Sequence, residues 1–259
     1  YTAHGFHFFK GAPLLNWLLF YPAEWLLAPV TDVLITINKE DHARALKQLH
    51  AKRIEYVPGV GIKTAKFREL TIDRIAKRDS LGYGDEDFLA LTVAEMTPNK
   101  NHITILKALA LLKERGELNN IHYLICGRGE MWASLEESAK ELGISDHVNF
   151  LGYRTDAPEL YKASDLFLFV TLREGLSVAL MEAMACEKAV SCSAIRGNTD
   201  LVDGVGGTLF DPSDWASCRS ALDEAFSRDL SAMGRHNRQV LKAFSIEEVN
   251  RQMLALYTK

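Results

Sequence analysis

A regular alternation of short apolar runs with helix-like segments constrains the fold of this chain more than any other feature of its sequence. Strands that alternate with helices pair in parallel, and right-handed crossovers then place helices on both faces of the sheet. Residues 88–210 therefore predict an α/β domain built on a parallel sheet of six strands. The predicted strands are 88–94, 122–126, 148–151, 166–170, 189–192 and 207–210.

Residues that suit ligand binding collect where these predicted strands end. In parallel α/β sheets, ligands bind outside the carboxyl ends of the strands. The segments at those ends contain charged residues and glycines, and they are 95–100, 127–130, 152–154 and 173–177. The sequence therefore predicts a binding site at this edge of the sheet.

The segment from Arg173 to Cys186 contains the most informative of these strand ends. Gly175 permits a turn, Ser177 stands where a helix N-cap would stand, and apolar residues then recur at helical spacing. A helix N-terminus has unpaired N–H groups and a partial positive charge, so it attracts phosphate. Glu174 and Glu182, with seven residues between them, would offer acceptors to sugar hydroxyls. The spacing alone favours structural roles for both glutamates. Glu174 would complement the helix dipole, and Glu182 would lie on a solvated face of the helix.

Two other strand ends carry weaker signals. Gly127-Arg128-Gly129 is similar to the start of a dinucleotide-binding loop, but Trp132 stands where a third glycine belongs. A tight turn from strand to helix is therefore the favoured explanation of these glycines. Lys100 follows the first predicted strand, where a flexible ammonium group could reach a diphosphate. The alternative for Lys100 is an ordinary solvent-exposed lysine.

The charge and the cysteine content exclude several classes of function. A formal net charge of -4 and an isoelectric point near 6.1 argue against nucleic-acid binding, which depends on clustered Lys and Arg. The four cysteines are scattered, without the spacing of a zinc site or a disulfide framework. They indicate free thiols in a reducing cytoplasm. We expect no metal, no cofactor and no signal peptide.

Residues 1–29 differ from the rest of the chain because they are rich in aromatic and leucine side chains. Within them, residues 13–29 are too short and too interrupted by polar residues to span a bilayer. Trp17, Tyr21 and Trp25 suit a membrane interface, so a peripheral membrane contact is one interpretation. The favoured alternative is a helix that packs against a sheet outside this chain.

A short α/β segment separates this region from the six predicted strands. The pattern predicts a strand at 33–37, a helix from Lys39 to about Ala51, a strand from Ile54 and a charged helix at 67–80. Glu40 and Asp41 fall in the first turn of the Lys39 helix, where they complement its dipole. The Pro58-Gly59 connection is the predicted domain boundary.

Several motifs occur in the order seen in GT4-type (group 1) retaining glycosyltransferases of the GT-B fold, which the chain resembles most densely from residue 54 to 259. They are Val93-Ala94-Glu95-Met96-Thr97-Pro98-Asn99-Lys100, Ile125-Cys126-Gly127-Arg128-Gly129-Glu130, Phe150-Leu151-Gly152-Tyr153-Arg154, Leu160-Tyr161-Lys162-Ala163-Ser164-Asp165, and Glu174-Gly175-Leu176-Ser177 through Glu182. The two glutamates with seven residues between them are the most specific part. The resemblance implies a Rossmann-like C-terminal domain, a remnant of a second α/β domain, and no metal requirement.

The resemblance also implies roles for individual residues in binding a nucleotide-sugar donor. Glu182 would contact the ribose hydroxyls, and Glu174 would contact the donor sugar as a catalytic-site residue. The diphosphate would meet Lys100 and the backbone of Gly175, Leu176 and Ser177, and the base would lie near Gly152 and Arg154. Many relatives carry an arginine where this chain has Glu95, so Lys100 and backbone N–H groups would form the phosphate clamp.

Thr2-Ala3-His4-Gly5 resembles a strand end late in the N-terminal domain of the family, whose histidine faces the cleft. His4 is therefore the second catalytic candidate, and His7 is the runner-up. The start of the acceptor-binding domain would then precede Tyr1. The implied domains are a partial N-terminal acceptor domain at 1–58, a nucleotide-sugar domain at 59–244, and a C-terminal helix at 245–259 that crosses back to the first domain.

The resemblance implies a retaining glycosyltransferase that moves a sugar from a nucleotide-diphosphate donor to a saccharide or lipid-linked acceptor in polysaccharide biosynthesis. Its location would be the cytoplasm or the inner face of the plasma membrane. Two alternatives stay open. One is a fragment that binds donor without turnover, and the other is a different GT-B enzyme, such as a nucleotide-sugar epimerase.

Overall fold

The computed structural model describes residues 1–9 and 11–258. They form two α/β units, each built on a parallel sheet. The N-terminal unit has three strands in the order β1-β2-β3, which are Thr2–Ala3, Val33–Thr36 and Arg53–Tyr56. Its helices are α1 (Leu14–Leu27), a 3-10 turn at Ala28–Val30, and α2 (Lys39–Gln48).

The larger unit is a parallel sheet of six strands, as the alternation of apolar runs predicts. The strands are β4 (Phe88–Val93), β5 (Ile121–Cys126), β6 (Val148–Gly152), β7 (Leu166–Phe169), β8 (Ala189–Ser193) and β9 (Gly207–Phe210). Their spatial order is β6-β5-β4-β7-β8-β9. The chain moves outward from β4 to β6 and then returns, so that β7 pairs with the other side of β4. Such a reversal opens a crevice between the two central strands.

Helices cover both faces of the larger sheet, which confirms the predicted Rossmann-like α/β class. The helices after β3 are α3 (Thr64–Arg68), α4 (Arg74–Asp79), α5 (His102–Glu114), α6 (Trp132–Glu141), α7 (Ala157–Ala163), α8 (Val178–Ala185), α9 (Asn198–Leu201), α10 (Trp215–Phe226) and α11 (Leu230–Val240). The last helix, α12 (Ile246–Tyr257), packs on the smaller sheet. Three further 3-10 turns lie at Pro98–Lys100, Ser145–His147 and Leu241–Phe244.

Successive residues of β4 enter two different cores, because side chains alternate between the faces of a strand. Leu89 and Leu91 pack with Met181 of α8 in one core, and Ala90 packs with Ile105 of α5 in the other. A strand that is buried on both faces is apolar throughout, which is why these strands are visible in the sequence as continuous apolar runs.

Two predicted helices differ from the structure. The predicted helix at 67–80 is wrong in its extent, because residues 69–73 separate α3 from α4. Asp73 explains the break, since its carboxylate accepts the backbone N–H of Ala76 at 3.0 Å and starts a new helix. The helix predicted from Lys39 to about Ala51 ends at Gln48, where Leu49 has an extended backbone conformation.

Two stretches of chain cross between the units side by side. Ile62, on the first crossing, forms a parallel bridge with Ser245 on the second. The Ile62 N–H donates to the Phe244 carbonyl, and the Ile246 N–H donates to the Ile62 carbonyl, each at 3.0 Å. Gly61 has φ +75°, and a Cβ there would press on the backbone of Ile246. Helix α12 then lies on the smaller sheet, where its Val249 is buried with Ile35 and Val57.

Helix α1 leaves most of its apolar surface exposed. Its contacts with the N-terminal unit include Trp17 and Tyr21, whose rings pack on the buried ring of Phe8, and Phe20, whose ring stacks on His7. The exposed apolar side chains are Leu14, Leu15, Leu18, Leu19, Phe20, Trp25, Leu26 and Leu27. In the described part of the chain, no helix has the length and apolar character needed to cross a membrane.

A buried ion pair fixes the amino-terminal edge of the larger sheet. Arg78 is 1% exposed, and its guanidinium donates to the carbonyls of Gly84 and Ala163 at 3.0 and 3.1 Å and to Asp165 at 3.2 Å. The Asp165 carboxylate also accepts the Leu89 N–H at 2.8 Å, at the start of β4. Asp165 therefore connects α4 to the central strands and has a structural role.

Replacing Arg78 with Met tests this role. The variant keeps about the same side-chain volume but leaves the carbonyls of Gly84, Asp87 and Ala163 without this donor, so we expect a loss of about 3 kcal/mol in the free energy of unfolding. Urea denaturation measures the change. Arg251→Met, which removes an exposed arginine, is the control and should leave the midpoint unchanged. An equal effect of both substitutions would contradict the structural role of Arg78.

Candidate active site

The loops that follow β4 and β7 lie together at the crevice between these two strands. Asn99, after β4, connects them through both its backbone and its side chain. Its carbonyl accepts the N–H of Leu172 at 2.8 Å and the hydroxyl of Thr171 at 3.1 Å, and its amide donates to the Arg173 carbonyl at 3.1 Å. These bonds hold residues 171–173 against the end of β4, so the strand-end residues predicted from the sequence meet in space.

Helix α8 begins at this crevice. Ser177 is its N-cap, as predicted, because the Ser177 hydroxyl oxygen accepts the N–H of Leu180 at 3.3 Å. The first N–H groups of a helix have no acceptor within the helix, so they face the crevice with the positive end of the dipole. Leu180, Met181 and Met184 bury the opposite side of α8 in the core. The sequence thus builds an anion-attracting helix terminus on a rigid support.

Lys100 and Glu174 form an ion pair across the crevice, which brings the β4 and β7 loops together. The Lys100 ammonium lies 5.2 Å from the centre of the Phe169 ring, and Glu174 also accepts the Thr171 hydroxyl at 3.2 Å. Both side chains line a cavity of about 390 Å³ together with Ser177. The cavity therefore combines a cation, a carboxylate and the start of α8.

Glu182 lies further along α8 and is half-buried. The Tyr161 hydroxyl donates to its carboxylate at 3.2 Å. Burial raises the pKa of Glu182, and the hydrogen bond from Tyr161 opposes that shift. A half-buried carboxylate with one hydrogen bond keeps acceptor capacity for further hydroxyl groups.

Gly152 and Arg154 lie at the end of β6, beside the turn that follows β5. Gly152 has φ +68°, and its carbonyl accepts the Gly127 N–H at 2.8 Å. Arg154 donates from two nitrogens to Asp156, at 2.8 and 2.5 Å, and these bonds hold the pKa of Asp156 well below its usual range. Arg154 is therefore anchored by an acidic neighbour at this end of the crevice.

The glycines of the Gly127-Arg128-Gly129 turn have a packing function. A Cβ on Gly127 would overlap the Ala94 carbonyl oxygen, and a Cβ on Gly129 would overlap the Met96 carbonyl oxygen. The turn after β5 therefore lies directly against the loop after β4. This close approach agrees with the tight-turn explanation favoured from the sequence.

His4 lies opposite these loops, at the end of β1 in the N-terminal unit. It is exposed and lines a cavity of about 220 Å³ with His7, Asn99, Glu174 and Gly175. A Cβ on Gly175 would overlap the His4 carbonyl oxygen, so the two backbones are in direct contact. Leu176 contacts the connection between the units, because a Cβ on Gly59 would overlap its side chain. The structure thus brings His4 and Glu174, the two catalytic candidates, to one cavity.

Two charged residues beside this cavity were not predicted from the sequence. Arg196 follows β8, and its guanidinium bonds to Asp41 of the N-terminal unit at 2.8 Å. Asp41 was assigned only to the first turn of its helix, and it is fully buried. Arg196 follows the end of a strand, so the strand-end rule that selected the other candidates would also have selected it. Its pairing with Asp41 has no local sequence signal, since 155 residues separate the two.

Other potential ligands are not arranged for a metal ion. Among residues 1–9 and 11–258, no cluster of three or more His, Cys, Asp or Glu side chains has a geometry that could hold one. The thiols of Cys126, Cys186, Cys192 and Cys218 are free and buried.

Comparisons with known proteins give the class and the family of this chain. The sequence profile described as "Glycosyl transferases group 1" matches residues 73–240. EpsD of Bacillus subtilis, which is named as a glycosyltransferase, is 35% identical to the chain over 263 residues, or 100% of this chain and 68% of EpsD. The chain therefore belongs to the group 1 glycosyltransferases.

A second relative has a more specific name. The Escherichia coli protein named UDP-Gal:alpha-D-GlcNAc-diphosphoundecaprenol alpha-1,3-galactosyltransferase is 28% identical over 252 residues. The match covers 95% of this chain and 65% of that protein. The chain thus spans about two thirds of the length of these two relatives.

Solved structures share the fold. Anabaena HepE in complex with UDP superposes with a TM-score of 0.86 and 19% identity, over 100% of this chain and 71% of HepE. WaaG, described as a glycosyltransferase involved in lipopolysaccharide biosynthesis, gives a TM-score of 0.76 and 20% identity, over 94% of this chain and 69% of WaaG. These likenesses show that the chain has the α/β architecture of GT-B glycosyltransferases.

Replacing Glu182 with Gln separates stability from any binding role of this residue. Burial raises the pKa of Glu182, so the folded state disfavours its ionised form. The resulting loss of folding stability begins above the unfolded pKa and reaches its full size above the raised pKa. The variant should therefore unfold at a higher temperature than the parent at pH 7. The difference should disappear as the pH falls below the unfolded value of 4.5.

Thermal unfolding at a series of pH values measures this effect. Glu114→Gln, which changes an exposed carboxylate, is the control and should show no such pH dependence. A Glu182→Gln protein less stable than the parent at pH 7 would contradict the burial cost assigned to this carboxylate.

Proposed function

We propose that this protein is a retaining glycosyltransferase that transfers a sugar from a nucleotide-diphosphate donor to a saccharide or lipid-linked acceptor in polysaccharide biosynthesis. The observation that carries this proposal is the cavity shared by Lys100, Glu174 and the N-terminus of α8. The names of relatives support it, because the Escherichia coli relative is named for a UDP-sugar donor and a diphosphoundecaprenol-linked acceptor. The Anabaena neighbour is a complex with UDP.

The diphosphate of the donor would bind at the start of α8. Its negative charge would meet the free N–H groups near Gly175, Leu176 and Ser177 and the ammonium of Lys100. The ion pair with Glu174 holds the Lys100 ammonium at the mouth of the cavity. As the bond to the sugar breaks, charge grows on the leaving diphosphate, and these fixed groups stabilise it more than they stabilise the bound donor.

The donor sugar would lie between Glu174 and His4, since both line the same cavity. In a retaining reaction without a covalent intermediate, the acceptor attacks on the face from which the diphosphate leaves. Glu174 would orient the sugar hydroxyls and would not act as a nucleophile, because a carboxylate nucleophile requires the close pair of carboxyl groups used by retaining hydrolases. Its bonds to Lys100 and Thr171 suit a positioning role.

The nucleoside would extend along α8 and toward β6. Glu182 would accept hydrogen bonds from the ribose hydroxyls, which its remaining acceptor capacity allows. The base would lie near Gly152 and Arg154, at the neighbouring strand end. No step in this scheme uses a metal ion or a cofactor.

Replacing Lys100 with Met tests the diphosphate site. Losing a charge-assisted contact to phosphate costs about 1.5–3 kcal/mol, so the Kd for UDP should rise by about 10- to 100-fold in calorimetry. Lys107→Met, which removes an exposed lysine on α5, is the matched control and should bind UDP as the parent does. Unchanged UDP affinity in the Lys100 variant would contradict the proposed site.

We also propose that residues 13–29 make a peripheral membrane contact on the cytoplasmic side of the plasma membrane. Helix α1 exposes leucines on several sides, together with the aromatic rings of Phe20 and Trp25, which suit the membrane interface. A lipid surface would bring the enzyme to a lipid-linked acceptor. The four buried free thiols support a reducing, cytoplasmic location.

The membrane contact is tested by flotation with vesicles of phosphatidylethanolamine and phosphatidylglycerol. Replacing both Leu18 and Leu19 with Ser removes exposed apolar area, so bound protein should fall by at least about tenfold. The control replaces Leu46 and Leu254, which are equally exposed on other helices, with Ser. Failure of the parent to float with vesicles would refute the membrane contact and would favour packing of α1 against another protein surface.

A further inference from the structure

Arg196 joins the two units at the wall of the cavity that is the candidate sugar position. It lies in the loop after β8 and is 9% exposed. Its Nε donates to the Glu174 carbonyl at 3.1 Å, and its Nη1 donates to the Phe6 carbonyl at 3.0 Å and to the Asp41 carboxylate at 2.8 Å. One guanidinium therefore binds the loop that carries Glu174 and two elements of the N-terminal unit.

Both carboxylate oxygens of Asp41 are hydrogen-bonded. Asp41 is 0% exposed, and its second carboxylate oxygen accepts the Phe6 N–H at 3.0 Å and the Asn38 amide at 2.8 Å. The guanidinium carbon of Arg196 also lies 4.7 Å from the centre of the Phe9 ring. Asp41 therefore fixes the segment from Phe6 to Phe9, and Arg196 connects that segment to the larger unit.

Three glycines allow the connected backbones to touch. A Cβ on Gly175 would overlap the His4 carbonyl oxygen, and a Cβ on Gly197 would overlap the Gly175 carbonyl oxygen. A Cβ on Gly5 would approach Arg196 to 3.3 Å. The loop of Glu174 is thus enclosed between the segment that carries His4 and the loop that carries Arg196. Its position depends on both neighbours.

We propose that Arg196 is a positioning residue that sets the distance between Glu174 and His4, and that it thereby determines how the donor sugar is held. This role depends on the proposed function, since it concerns the sugar half of the same donor site. Arg196 lines the cavity assigned to the donor sugar but not the one that contains Lys100 and Ser177, and its hydrogen bonds go to protein groups. It acts through the Glu174 carbonyl and through the Asp41-bound segment at Phe6.

The positions of the Arg196 hydrogen bonds predict that its loss weakens binding of the donor sugar and not of the nucleotide. Its partners lie in the N-terminal unit and at the Glu174 backbone, whereas the proposed nucleotide contacts are Lys100, the start of α8 and Glu182. Loss of the Arg196 contacts releases the loop of Glu174 from the His4 segment. Affinity for the sugar should therefore fall while affinity for the nucleotide is kept.

The test compares two affinities in the same protein. Calorimetry gives the Kd for UDP and for the one among UDP-glucose, UDP-galactose and UDP-N-acetylglucosamine that the parent binds most tightly. In Arg196→Lys, which keeps a positive charge but cannot bridge three acceptors, the Kd for UDP should stay within about twofold. The sugar advantage is the Kd for UDP divided by the Kd for the sugar nucleotide. This ratio should fall by about tenfold or more.

Asp41→Asn tests the same contact from the other unit. It should also reduce the advantage of the sugar nucleotide, and the double variant should lose little more than either single variant because the two residues act as one pair. Arg78→Lys is the matched control, since it weakens the hydrogen bonds made by a buried arginine at the opposite edge of the sheet. It should lower the unfolding temperature without changing the advantage of the sugar nucleotide.

The outcomes separate this role from the proposed function. A parent protein that binds UDP, with an unchanged sugar advantage in Arg196→Lys, overturns the role of Arg196 alone. An equal loss of sugar advantage in Arg78→Lys also overturns it, because the effect would then follow from lower stability. A parent that binds neither these nucleotides nor ADP, GDP and dTDP and their glucose derivatives refutes the proposed function and, with it, this role of Arg196.

Discussion

The pairing of β4 with β7 is the constraint on which the site depends. The chain leaves β4, adds β5 and β6 on one side, and returns to place β7 on the other side. The loops after β4 and β7 consequently leave the sheet next to each other and in different directions, which opens the crevice between them. Lys100 and Glu174, which are far apart in sequence, meet there because of this strand order. A sheet built outward in one direction would not bring these two loops together.

The fold was largely predictable because its strands are buried on both faces and are therefore visible as apolar runs. The start of α8 was predictable for a local reason, since a serine before a helical pattern acts as an N-cap. The break between α3 and α4 was missed because the charged residues of 67–80 carry little apolar periodicity and Asp73 was not recognised as a cap. The strand order was not predictable from periodicity, which describes each strand but not its neighbours.

The site was predictable only in part, for a similar reason. Glu174, Ser177 and Glu182 lie on one short segment, so their arrangement follows from helix geometry. The ion pair between Lys100 and Glu174 and the contact between Arg196 and Asp41 join distant parts of the chain. Buried charges are stable only when paired, but the sequence does not show which charged residues are buried, so neither pair could be predicted.

The two crossings between the units have a mechanical consequence. The bridge between Ile62 and Ser245 ties them into a two-stranded ribbon. A single flexible linker would allow one unit to twist relative to the other, whereas two crossings joined by hydrogen bonds resist such twisting. Two connected crossings therefore restrict the rotation of one unit relative to the other, and the Arg196–Asp41 contact adds a third connection between them.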